Sequence, residues 1–181
     1  EPPAFEAIIA GVVPLGAGLS SAAAMEMAFG NFLKAMLGVA IAPMDMALNG
    51  RAAENGFVGV QCGILDQWSS VMGREDSLLL LDCRKLEVLE YPSLPHSACL
   101  VIADTNAPHS LMTGEYNQRR ESCARAAKVC AEKYPHKSIT HLRDITLEEW
   151  EGAKDAMPDE DFRRARHIVT ENLRTLAGAD A

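Results

Sequence analysis

Basic residues are scarce in this chain, and the scarcity argues against whole classes of function. Seventeen Lys and Arg stand against 25 Asp and Glu, a formal net charge of −8. That is the wrong sign for a general nucleic-acid binder or a membrane-surface protein, both of which display excess cation. No apolar run approaches the roughly 18 residues that span a bilayer. No signal peptide opens the chain, which starts Glu1-Pro2-Pro3 without a methionine, as a processed chain or a piece of a longer one does. The five cysteines, Cys62, Cys83, Cys99, Cys123 and Cys130, are odd in number and form no C-x-x-C pair. Zinc and disulfide frameworks are therefore disfavoured, and reduced thiols acting as small hydrophobes fit a cytosolic setting. Internal repeats and low-complexity tracts are absent. The 48% hydrophobic content supports a buried core.

What is present is concentrated in Pro14-Leu15-Gly16-Ala17-Gly18-Leu19-Ser20-Ser21, running into Ala22-Ala23-Ala24-Met25-Glu26. Glycine removes the Cβ that keeps a phosphate from the backbone and tolerates positive φ. The first amides of a helix lack internal partners, and the dipole there favours negative charge. Two serines add donors and an oxygen suited to magnesium. The segment has neither the Gly-Lys-Ser/Thr ending of the P-loop nor the third glycine of the dinucleotide fingerprint. Taken locally, it reads either as a polyphosphate cradle or as a glycine turn with a serine cap before a core helix.

Phe5 to Val13 is β-branched and closed by Pro14, a strand pattern. Ser20 to Leu37 is apolar almost all round, as a buried helix is, and Gly38 stops it. A second helix is expected from Pro43 to about Asn55-Gly56, and a third from Gly63 to Met72 with Gly73 as its stop. Leu78–Leu81 and Leu86–Tyr91 read as strands of a hairpin with weak turn residues Arg84-Lys85. Pro92 to Pro95 reads as a linker, and Cys99 to Ala103 as another strand. Helices are expected over Thr113–Lys133, after the capping box Thr146-Leu147-Glu148-Glu149, and over Asp159–Leu176. The order predicts an α+β fold rather than a regular βαβ alternation.

Several acids and a polar cluster bear on chemistry. Asp66, in Gln61-Cys62-Gly63-Ile64-Leu65-Asp66-Gln67-Trp68, is either an ordinary acid of a helix start or a carboxylate that orients a substrate hydroxyl. Glu54 sits at a helix C-terminus, where the dipole disfavours acid, so a cation or Arg51 should compensate it. Tyr116, Arg119 and Arg120 share neighbouring faces of one helix, lining a polar pocket or pairing with Glu115 and Glu121 in solvent. His109 and Ser110 lack the elbow and acid of a nucleophilic triad. Asp82 and Asp104 end strand candidates and receive no role.

Together these residues resemble a known family. Gly11 to Ala23 is similar to the second signature motif of the GHMP small-molecule kinases. Cys62-Gly63-Ile64-Leu65-Asp66-Gln67, Leu80-Leu81-Asp82-Cys83-Arg84, His109-Ser110-Leu111, Glu115 to Arg120, and Phe162 to His167 with Glu171 narrow the resemblance to the galactokinase branch. It covers essentially the whole chain. The glycine-serine loop by itself identifies only the superfamily.

The resemblance implies a GHMP-kinase-like two-lobed α+β fold, with an N-lobe like domain 2 of ribosomal protein S5 and a ferredoxin-like C-lobe. Residues 1–95 would belong to the ATP-binding lobe and 96–181 to the start of the second. It implies ATP-dependent phosphorylation of the anomeric hydroxyl of galactose in the cytoplasm, by a monomer with no nucleic-acid or membrane partner. ATP would contact Pro14, Gly16, Ala17, Gly18, Leu19, Ser20 and Ser21. Magnesium would lie near Ser21 and Glu54, Asp66 would be the catalytic carboxylate, and Gly63, Asp66 and Tyr116 would meet the sugar. Two departures stand out: Ala22 replaces a third serine, and both the first motif and the glycine-rich third motif are missing. The chain is therefore expected to be the central part of a longer kinase, incomplete at both ends and inactive or impaired alone. The alternatives are a kinase of N-acetylgalactosamine or arabinose, a non-catalytic galactose and ATP sensor, and a structural fragment with no retained binding.

Overall fold

A computed structural model of the chain describes residues 4–93, 95, 97–103 and 114–181. They divide into two compact units, Glu1–Leu111 and Met112–Ala181, each with its own core.

In the first unit, helix α1 spans Ser21–Leu37. Gly38 ends it at φ 63, its N–H bonding back to the carbonyls of Ala35 and Lys34, a left-handed cap that glycine adopts without a Cβ clash. Helix α2, Pro43–Ala53, begins on a proline whose missing N–H is no loss at a first-turn position. A single π turn, Glu54–Val58, follows and closes at Gly59, φ 86. Helix α3, Leu65–Met72, completes the group. The three helices bury Ala23, Met27, Met46, Ala47, Ile64 and Trp68. Truncating a buried tryptophan such as Trp68 to alanine costs about 3–5 kcal/mol, so this contact anchors α3 firmly.

Strands β1 (Leu80–Asp82) and β2 (Glu87–Glu90) form the predicted antiparallel hairpin, with Leu81 opposite Val88. The turn residues Arg84-Lys85 are weak formers, and Asp82 supplies what they lack. Its buried carboxylate accepts the backbone N–H groups of Arg84 at 2.9 Å and Lys85 at 3.1 Å. Leu86 adopts φ 59 and donates its N–H to the Asp82 carbonyl at 2.8 Å. Leu81, Leu86 and Val88 then lean on the Ala47–Ile64–Trp68 cluster.

Two strand expectations fail. Phe5 to Val13 forms no strand, and Ile8 and Val12 are 98% and 99% exposed. Phe5 instead stacks on α1, its ring centroid 5.2 Å from that of Phe32 and 6.3 Å from that of Phe29. Cys99 to Ala103 is likewise unpaired and exposed. The β pattern of both segments is genuine, but a strand exists only where a neighbour takes its hydrogen bonds. Among the described residues, β1 and β2 pair only with each other. Asp104, His109 and Ser110, and Leu94 of the expected linker, lie outside the described residues.

The second unit is helical over its described residues. It comprises α4 (Glu115–Lys133), a 3₁₀ turn Leu142–Asp144, α5 (Leu147–Gly152), a 3₁₀ turn Lys154–Ala156, and α6 (Asp159–Ala179). The capping box forms as expected: Thr146 Oγ1 accepts the Glu149 N–H at 3.2 Å, and Glu149 accepts the Thr146 N–H at 2.8 Å. Trp150 stacks on Phe162 at 4.1 Å and donates its indole N–H to the Phe162 carbonyl. Across α4 and α6, Asp161 holds the Arg125 guanidinium by two bonds of 2.8 Å. No helix among the described residues is long and apolar enough to cross a membrane.

Candidate functional site

The loop before α1 is built by alternation. Gly16, Gly18 and Ser20 take φ values of 72, 75 and 56, whereas Ala17 and Leu19 between them do not enter the positive region. Alternating hands of this kind turn successive backbone N–H groups toward one side, a concavity that binds anions. Leu15, Gly16 and Gly18 are exposed, and a Cβ on Gly16 would meet nothing within 4 Å. The mouth is open.

The Ser20 backbone departs from the geometry of a capping serine. A capping serine holds an extended backbone and accepts an N–H of the first turn with its hydroxyl. Ser20 is left-handed and makes no such bond. Its carbonyl does accept the Ala24 N–H at 3.0 Å, so the helix starts properly while the amides ahead of Ala24 have no cap. A left-handed non-glycine residue is strained, and such strain clusters where a ligand is held.

The first unit also buries acidic side chains. Glu54, the first residue of the π turn, is only 6% exposed. Gln67 of α3 donates its amide Nε2 to Glu26 Oε2 of α1 at 3.2 Å. Burial first, and then the neighbouring charges of Glu54 and Asp66, push the Glu26 carboxyl up to about 7. Burial and the same acids raise the Cys62 thiol, which donates to Asn55 Oδ1 at 3.5 Å. Gln67 is 3% exposed, and its Oε1 has no hydrogen-bond partner.

Asp66, one residue before Gln67, points out of this cluster and is exposed. Its charge reaches Glu26, which stands five residues into α1 and so about 7.5 Å along the axis from Ser21. Gly63 lies exposed just before α3, with open space where a Cβ would be. Tyr116 belongs to the second unit, 42% exposed on the first turn of α4, where Arg119 pairs with Glu115 at 3.8 Å. Sequence reasoning overlooked Glu26 and Gln67. Glu26 is the one acid of the largely apolar α1, whereas Gln67 stands beside Asp66, Ser69 and Ser70 in α3 with nothing local to mark it.

Residues 2–74 match the family described as the GHMP kinases N terminal domain. Over 177 residues it is 43% identical to a galactokinase of Haemophilus influenzae strain PittEE and 41% identical to one of Mannheimia succiniciproducens. Each alignment covers 96% of this chain and 44% of the relative, so the chain spans under half the length of the curated relatives it matches. The crystal structure of Lactococcus lactis galactokinase complexed with galactose superposes with a TM-score of 0.78 at 29% identity, over 93% of this chain and 43% of that one. The expected GHMP-kinase α+β fold is thus the one observed, as helices with a small sheet.

Proposed function

We propose that this chain supplies the phosphate cradle and the reacting carboxylate of a galactokinase, transferring the γ-phosphoryl group of ATP to the anomeric hydroxyl of galactose. The observation that carries the reading is the alternating backbone at Gly16, Gly18 and Ser20 before an uncapped helix. Pro14, Gly16, Ala17, Gly18, Leu19, Ser20 and Ser21 would line the ATP phosphates, the N–H groups of Gly16 to Ser21 matching anionic oxygens at a helix start.

Magnesium fits the residues near this mouth by chemistry. Ser21 and Glu54 offer hard oxygen donors, and no group of three or more His, Cys, Asp or Glu able to hold a metal exists among the described residues. Magnesium commonly takes one or two carboxylates and completes its shell with substrate phosphates and water. When bound it would neutralise charge on the phosphates. In the transfer, the sugar oxygen forms a bond to γ-phosphorus as the β–γ bridging bond breaks, and ADP leaves with that bridging oxygen. Asp66 accepts or orients the proton released by the hydroxyl. Positioning and charge stabilisation supply most of the rate in such transfers. Gly63 and Tyr116 would contact the sugar.

In this reading residues 1–95 belong to the ATP-binding lobe and 96–181 begin the second. The protein works in the cytoplasm as a monomer, without nucleic-acid or membrane partners. Calorimetric titration with magnesium-ATP and, separately, with galactose tests the proposal. Magnesium-ATP should bind, and Ser21→Ala should weaken it about tenfold, the worth of one charge-assisted contact. A chain that binds no magnesium-ATP overturns the reading.

A further inference from the structure

We propose that Arg164 of α6 is a positioning residue that fixes the first turns of α4, and with them Tyr116, an inference that rests on the function proposed above. Its guanidinium reaches across the helix pair to several partners. Nη1 donates to the Ser122 hydroxyl oxygen at 2.8 Å and to the Gln118 backbone carbonyl at 3.3 Å. Nη2 stands 2.6 Å from Glu160 Oε1, one turn earlier on α6. Ser122 is fully buried, and its oxygen also accepts Arg125 Nη2 at 3.0 Å. Both lone pairs of that hydroxyl are thereby used. The buried Asp161 carboxylate, bonded twice to Arg125, offsets the second cation drawn to this oxygen.

The end of α4 so anchored is the end that local chemistry leaves loose. Gly114 starts the helix at φ 76 with no side-chain cap, so the first amides lack the partner that a serine or aspartate there would give. The Arg119–Glu115 pair on these turns is exposed at both partners, and such pairs hold little. Further along, Ala126, Ala127 and Cys130 lock α4 into the core of the second unit. Packing therefore secures the far half of the helix, whereas Arg164 ties down the near half. Gln118 follows Tyr116 within the same turn, and Ser122 stands one turn further on. Tyr116 is exposed, so the backbone that carries it sets where its phenol lies. A methionine at position 164 would fill much the same space. Only the rigid guanidinium fork gives directed bonds to a carbonyl, a hydroxyl and a carboxylate at once.

The test pairs calorimetric titration of galactose and of magnesium-ATP with amide hydrogen exchange, in Arg164→Met and Tyr116→Ala, singly and together. Arg164→Met should weaken galactose binding about tenfold, the worth of one displaced hydrogen bond, and leave magnesium-ATP affinity unchanged. Amides from Gln118 to Ser122 should exchange at least about tenfold faster, while those from Ala126 to Cys130 keep their protection. In the Tyr116→Ala background Arg164→Met should cost no further galactose affinity. Unchanged galactose affinity overturns the positioning role and leaves the kinase reading in place, as does a loss that adds to that of Tyr116→Ala. Faster exchange throughout α4 also overturns it, in favour of general stability of the second unit. A parent chain that binds no galactose defeats the sugar reading, and the positioning role falls with it. Should Arg164→Met fail to fold, Arg164→Lys, which keeps one nitrogen but loses the fork, must show smaller shifts in the same direction; no shift overturns the role.

Discussion

Gly50 of α2 faces Met27 of α1 so closely that a Cβ on the glycine would lie 2.5 Å from the Met27 methyl carbon. The same Cβ would stand 2.9 Å from Glu26 Oε2. Gly50→Ala therefore sets two effects against each other. Alanine in a helix interior gains about 1 kcal/mol over glycine, and overpacking costs about 1–3 kcal/mol. The obstructing atoms end flexible side chains, so they yield, and stability should change by no more than about 2 kcal/mol in denaturant unfolding.

Asp66 separates chemistry from folding. Its side chain is exposed and outside the buried cluster, so Asp66→Asn should alter stability by less than about 0.5 kcal/mol. Magnesium-ATP affinity should stay within about twofold, because the phosphates are held elsewhere. Where galactose phosphorylation is measured, the rate should fall by at least about 100-fold, the usual loss when a proton acceptor is removed. A variant with full turnover would remove Asp66 from the reaction.

Ser20 should show stability and binding moving in opposite directions. Its left-handed backbone is strained and its hydroxyl caps nothing. Ser20→Gly should raise stability by about 1 kcal/mol while weakening ATP binding through loss of the hydroxyl. Ser20→Val should lower stability, since β-branching is least tolerated at positive φ. Chemical denaturation of the two variants checks the order.

The second unit should lose stability in acid through Asp161. This carboxylate is 3% exposed, and Arg125 first, with Ser122, holds it below its ordinary value of 3.8. As pH falls, the unfolded chain takes up the Asp161 proton before the folded one. The stabilisation is therefore complete above about pH 5 and disappears as pH falls through the ordinary value and on through the lowered one. Asp161→Asn should flatten that part of the stability–pH curve and lower the thermal midpoint at neutral pH. An unchanged curve would mean the Arg125 pair contributes nothing.

The local elements were largely legible. Gly38 and Pro43 mark α1 and α2 by backbone chemistry alone, and Thr146 with Glu149 marks α5 by reciprocal hydrogen bonds; all three read correctly from neighbours in the chain. Phe5–Val13 did not, because β pairing depends on a partner distant in sequence. The site divided the same way. Gly16, Gly18 and Ser20 announced a backbone concavity through residue type, although the missing Ser20 cap required coordinates. Glu26 and Gln67 carried no local signal strong enough to separate them from helix filler.

Residue chemistry along the chain was sufficient for the helix ends and for the likeness of residues 2–74 to the GHMP kinases N terminal domain. Each depends on conformational preferences that act within a few residues of one another. The tertiary structure alone decided that Glu26 and Gln67 meet. Their approach requires three helical segments to close over Gly50, and a hydrogen bond joining residues 41 apart is a property of packing that no short window of sequence contains.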